Sequence, residues 1–166
     1  MDHLGIEKAD LMGYSMGAFM GAYLLGHHSE RFSAMVLGGI GDENQASANL
    51  SYLIAGALRA GKLFTDFFRI SDPHFDMEAL ALSCLQMWPE GYPRTLAGPG
   101  ISQAQTRVLV INGEDDRPYS ETDQDFVALI PQGTLTTIPG RNHLTVFLDP
   151  RFNQAVLEFI SAESSN

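Results

Sequence analysis

The sequence predicts an α/β fold: a mostly parallel sheet of about four strands with flanking helices and a helical insertion. Three observations predict it. Short apolar runs of strand length recur along the chain, each closed by glycine or a turn. Segments with helical spacing stand between them. Their alternation is what a parallel sheet with helical crossovers requires. At 166 residues and 45% hydrophobic content, the chain is long enough for one compact domain.

The first strand is "ADLMGY", residues 9 to 14, an apolar run that ends in glycine-flanked serine. "MGAFMGAYLLGHH" follows at helical spacing, so strand, tight turn and helix come in succession. "FSAMVLGGIG", Phe32 to Gly41, is a second buried strand closed by glycines. From Asp42 to about Thr106 the pattern becomes helical, with Leu50, Leu53, Ile54, Ala57 and Leu58 on one face and Met77, Leu80, Ala81, Cys84, Leu85 and Trp88 on another. This predicts a core of residues 1–41 and 107–166 interrupted by a helical insertion, 42–106, that ends in the loop-forming "WPEGYPRTLAGPG". "RVLVING", Arg107 to Gly113, is the third strand. A helix is expected in "SETDQDFVALI", with Ser120 and Asp123 at capping-box positions. "GTLTTIPG" supplies the fourth strand. Asp149 and Pro150 open a last helix that turns Phe152, Val156, Phe159 and Ile160 to one side.

Ten Lys and Arg against twenty Asp and Glu give a formal charge of -10, which repels phosphate backbones and anionic lipid surfaces. Nucleic acid and membranes are therefore not expected partners. The single cysteine, Cys84, forms no internal disulfide. The opening "MDHLGIEKAD" has no signal-peptide pattern, and no run approaches the roughly 18 apolar residues of a membrane span. A soluble, cytoplasmic protein is expected.

"GYSMG", Gly13 to Gly17, is the motif that carries chemistry. A strand that turns abruptly into a helix crowds the serine's neighbours, so the positions two before and two after it need small residues. The bare pattern arises by chance in roughly one such chain in twenty; the flanking strand and helix make it more specific. The turn sets Ser15 Oγ at the start of a helix, where the Met16 N–H can meet a developing oxyanion. A serine hydroxyl becomes nucleophilic only when an imidazole takes its proton and a carboxylate orients that imidazole. After the third strand, "RVLVINGEDDRPY" offers Glu114, Asp115 and Asp116, and after the fourth, "TTIPGRNHLTVF" offers His143. The remaining histidines have plainer readings. His27 and His28 end a helix, where they favour its dipole, and His3 and His74 lack a second ligand at metal spacing, so no metal site is expected.

"GYSMGA", "VLVINGEDD" and "IPGRNHLTVF", with the final "AVLEFI" helix, resemble the α/β-hydrolase superfamily, in particular its compact bacterial esterase-like members. The resemblance implies Ser15 as nucleophile, His143 as base and, three residues after Gly113, Asp116 as the acid, with Asp115 as the alternative. It implies a serine hydrolase that cleaves small carboxylic esters through an acyl-enzyme on Ser15 and needs no cofactor. The insertion corresponds to a cap, where Leu53, Phe64, Phe67, Phe68 or Trp88 would line an acyl pocket or pack between helices. The superfamily has four strands before the serine strand, and one oxyanion donor comes from that portion. Here only "MDHLGIEK" precedes the strand, so the expectation is a truncated form of the fold whose serine strand has an exposed edge. Such an edge invites pairing with a second copy, so a homo-oligomer, most simply a twofold dimer, is expected. The competing expectation is a non-catalytic remnant acting in assembly or ligand binding.

Overall fold

A computed structural model of the chain describes residues 1–42 and 97–162. Its elements, numbered in chain order among these residues, are β1 (Ala9–Tyr14), α1 (Met16–His28), β2 (Phe32–Gly38), β3 (Arg107–Gly113), α2 (Asp123–Val127), β4 (Gly133–Ile138) and α3 (Pro150–Ser161). The chain divides into two compact units, Met1–Glu43 with Pro93–Asn166, and Asn44–Tyr92; all the described elements belong to the first. The helical faces expected from Leu50 to Trp88, with Leu53, Phe64, Phe67, Phe68, His74 and Cys84, lie outside the described residues.

The four strands form one parallel sheet in the order β1-β2-β3-β4, as the alternation of apolar runs predicts. Sequence chemistry places each strand. β2 and β3 are inner strands and read as nearly unbroken apolar runs, buried from Ala34 and from Val108 onward. β1 and β4, at the edges among the described residues, alternate between more and less exposed positions. The register aligns Tyr14, Gly38 and Ile111 across the sheet, so the loops that follow β1, β2 and β3 leave from one edge.

Successive strand residues face opposite sides, and each side has its own cover. Met35 and Leu37 lie under α1, which comes so near that a methyl at Gly21 would meet the Leu37 side chain at 2.5 Å. Val36, Leu109, Ile111 and Ile138 pack on the other side with Val146 and with Phe152 and Val156 of α3. Burying a side chain such as Phe152 contributes roughly 1.5–3 kcal/mol. α3 starts where the sequence places it: the Asp149 carboxylate accepts the Arg151 amide at 2.9 Å, and Pro150 occupies the first turn. Arg151 (2.8 Å) and Arg141 (2.6 Å) also grip that carboxylate and hold it well below the ordinary aspartate range. No described helix is long and apolar enough to cross a membrane.

One expectation is corrected. The helix after β3 is shorter than its pattern suggests: Tyr119–Glu121 is a 3-10 turn, α2 spans only Asp123–Val127, and no capping box joins Ser120 to Asp123. Asp123 turns inward, where Asn112 Nδ2 donates to its Oδ2 at 3.1 Å. Ahead of β3 the chain packs against α1. Gly98–Gln103 is a 3-10 segment whose Ile101 is buried, and Gly26 of α1 abuts Ala97 and Gly100 so closely that a methyl there would fall 1.8 Å from the Ala97 carbonyl oxygen.

Candidate functional site

Ser15 stands between β1 and α1 with φ 52° and ψ -118°, backbone that an L-residue rarely adopts. Such a conformation costs about 1–3 kcal/mol and persists only where the surroundings enforce it. Here they do. The Ser15 amide donates to Gly38 O at 2.8 Å, and its carbonyl accepts the amides of Ala18 (2.9 Å) and Phe19 (3.2 Å). Gly13 is required at this turn because a Cβ there would lie 2.3 Å from Gly17 O. Gly17 behaves differently from expectation: no described atom lies within 4 Å of the Cβ it lacks.

His143 is delivered by the loop after β4. Asn142 shapes that loop, accepting the amides of Thr145 and Val146 on its carbonyl and that of Leu144 on its side chain. The acid loop after β3 is joined to it by backbone: Glu114 N donates to Ile138 O (3.0 Å) and Asp115 N to Arg141 O (2.8 Å). The Glu114 carboxylate accepts the Gly140 amide at 2.9 Å.

The fold brings Ser15, His143 and Asp116 together. His143 Nε2 is 2.9 Å from Ser15 Oγ, and Nδ1 is 2.9 and 3.1 Å from the two oxygens of Asp116. Of the three candidate acids, Asp116 is fully buried and meets the imidazole, whereas Asp115 and Glu114 are exposed. A carboxylate only accepts, so Nδ1 donates to Asp116 and Nε2 is left to accept the serine hydroxyl proton. Met16 opens α1 directly after the serine. Among the described residues no three His, Cys, Asp or Glu side chains gather where they would hold a metal ion. His27 instead donates through Nδ1 to Tyr23 O at 2.8 Å, on the last turns of α1.

Three residues that sequence reasoning did not single out surround this arrangement. Asn112, fully buried near the end of β3, accepts the amides of Gly39 (2.9 Å) and Ile40 (3.2 Å) and donates to Ile40 O and Asp123. It fixes the loop after β2, and burial pushes its partner Asp123 above the ordinary aspartate value, with the Asp116 charge adding to the rise. The signal was present: an amide inside the apolar "RVLVING" needs a buried partner. Tyr14 and Tyr119 are the other two, with ring centroids 5.2 and 5.1 Å from that of His143.

The first 70 residues match a family model described as the alpha/beta hydrolase fold. The fold is that of the α/β hydrolases. Solved structures with this α/β-hydrolase likeness include the enol-lactonase from Burkholderia xenovorans LB400, at 19% identity and TM-score 0.72 over 98% of this chain and 69% of that one. MGS-M2, an α/β-hydrolase enzyme from a Medee basin deep-sea metagenome library, is 16% identical with TM-score 0.71 over 99% and 69%. The meta-cleavage product hydrolase CumD from Pseudomonas fluorescens IP01 is 23% identical with TM-score 0.65 over 96% and 67%. No curated protein matches the sequence.

Proposed function

We propose that the protein is a serine hydrolase that cleaves small carboxylic esters through an acyl-enzyme on Ser15. The observation that carries this reading is the unbroken chain of contacts from Asp116 through both nitrogens of His143 to Ser15 Oγ. Ser15 Oγ attacks the ester carbonyl carbon while His143 Nε2 takes its proton, and Asp116 steadies the imidazolium. The Met16 N–H, at the amino end of α1, is assigned to the oxyanion. Collapse breaks the ester C–O bond, His143 returns the proton to the departing alcohol, and the acyl group remains on Ser15. Water then attacks that acyl carbon, giving its proton to His143, and the carboxylic acid leaves as the serine recovers its hydrogen. An enol-lactonase among the structural neighbours is in keeping with a cyclic or open ester as substrate.

The test is intact mass after incubation with a fluorophosphonate, which captures an activated serine whatever the natural substrate. One adduct per chain, absent in Ser15→Ala, is expected. A folded protein that takes no adduct overturns the reading and favours a non-catalytic role.

We also propose that the protein forms a homodimer along β1. Among the described residues β1 has no strand on its outer side, and Met12 there is half-exposed. A second copy laid along β1 would pair its outer backbone groups and cover that side chain.

A further inference from the structure

We infer that Tyr14 is a positioning residue that ties the base to the nucleophile, holding His143 in register with Ser15 by a hydrogen bond from its own hydroxyl. The inference rests on the serine-hydrolase reading above and adds to it a residue that acts through the base and not on the substrate. Tyr14 Oη donates to the His143 carbonyl oxygen at 2.5 Å. Tyr14 directly precedes Ser15, so this one bond joins the backbone of the base to the neighbour of the nucleophile across 129 positions of sequence. Both residues then move with the end of β1.

The surroundings explain why such a tie is needed. The loop carrying His143 reaches the core through Val146, three residues further on, while Leu144, beside the base, is 73% exposed and Leu148 is 70% exposed, so the segment next to the imidazole has no apolar anchor of its own. The imidazole ring itself is bounded by packing. Tyr14 lies on one approach and Tyr119 on another, both tilted against it, and Gly39 closes in so far that a Cβ there would fall 2.8 Å from its Cε1. Packing limits where the ring can go, but it sets no fixed distance along the direction from β4 to β1. The Tyr14 hydroxyl does. Its own ring is anchored by edge contacts with Phe147 and Phe152, at 5.3 and 6.1 Å, so the donor is fixed by the same core that carries α3. Burial raises the phenol well above its ordinary value, with the Asp116 charge a second cause, so the hydroxyl keeps its proton and remains a donor.

Tyr14→Phe keeps every ring contact and removes only the hydroxyl. With p-nitrophenyl acetate, kcat is expected to fall about 5- to 30-fold while KM stays within about twofold, and the rate of fluorophosphonate capture is expected to fall by the same factor with one adduct per chain still reached. The second readout is spectroscopic. The downfield Nδ1 proton of His143 is expected as a sharp NMR line in the unaltered protein and in Ser15→Ala, and as a broadened line in Tyr14→Phe, because a loosened loop lets the proton exchange. Tyr23→Phe, on the exposed side of α1, should match the unaltered protein. If the unaltered protein takes no adduct, the hydrolase reading fails and the inference falls with it. If it reacts but Tyr14→Phe reacts at the same rate with an equally sharp line, the inference alone is overturned. A rise in KM at unchanged kcat also overturns it, since that would place Tyr14 in substrate binding.

Discussion

Asp123 sits 4% exposed beside Asn112, close enough to Asp116 to feel its charge, and the chain tolerates there an acid that burial makes reluctant to ionise. Its folded pKa lies above the ordinary 3.8. The stability it contributes is therefore complete below that ordinary value and lost as pH rises through the raised one. Asp123→Asn keeps an oxygen for Asn112 Nδ2 and removes the charge, so at pH 7 the variant is expected to melt higher by about 2 °C. The difference should shrink toward pH 4 in a series of melting curves, and a gain that instead grew on acidification would refute the assignment. Such a buried acid was not legible in the sequence, where "SETDQDF" reads as a helix start with Ser120 and Asp123 at capping-box positions. What decides its direction is Asn112, whose four hydrogen bonds draw together β3, the loop after β2 and α2. No local pattern encodes that meeting.

At the scale of elements, the turn from β1 to α1 shows what local sequence can and cannot specify. "GYSMG" marks the strand, the turn and the helix because the sharp turn crowds the positions on either side of the serine, here Gly13 against Gly17. The strained Ser15 backbone follows from that turn. The two glycines are not equivalent, however. Gly13→Ala drives a methyl into the Gly17 carbonyl and is expected to lower the rate of fluorophosphonate capture by more than about 100-fold, since a serine displaced by even 1 Å loses its alignment. Gly17→Ala meets no described atom and adds a better helix former, so its rate is expected within about threefold. Equal damage from both would show that crowding at position 17 comes from residues other than those described. The inner strands were legible for a comparable reason: burial on both faces leaves no room for a polar residue in "AMVLG" or "VLVI". The 3-10 segment Gly98–Gln103 was not, because it looks like a loop until Gly26 offers a bare stretch of helix to receive it.

At the scale of the whole molecule, β1 presents an outer edge among the described residues, and the proposed dimer uses it. Sedimentation should give about twice the 18.2 kDa chain mass, and Met12→Lys, which places a charge on that edge, should return the monomer. A monomer at all concentrations, or unaltered mass in the variant, would refute this interface. The order of the chemistry along the chain also matters for how the molecule comes into being. The serine is held by β1 and β2, both complete by residue 38, whereas its imidazole partner arrives only after β4 has docked and the backbone bonds from Glu114 and Asp115 have closed across it. A chain emerging from a ribosome therefore carries the Ser15 hydroxyl without its imidazole partner until β4 and the loop after it have been made. On the proposed serine-hydrolase reading, reactivity begins with β4, the last strand among the described residues, and covalent capture of Ser15 then serves as a clock for the completion of the sheet.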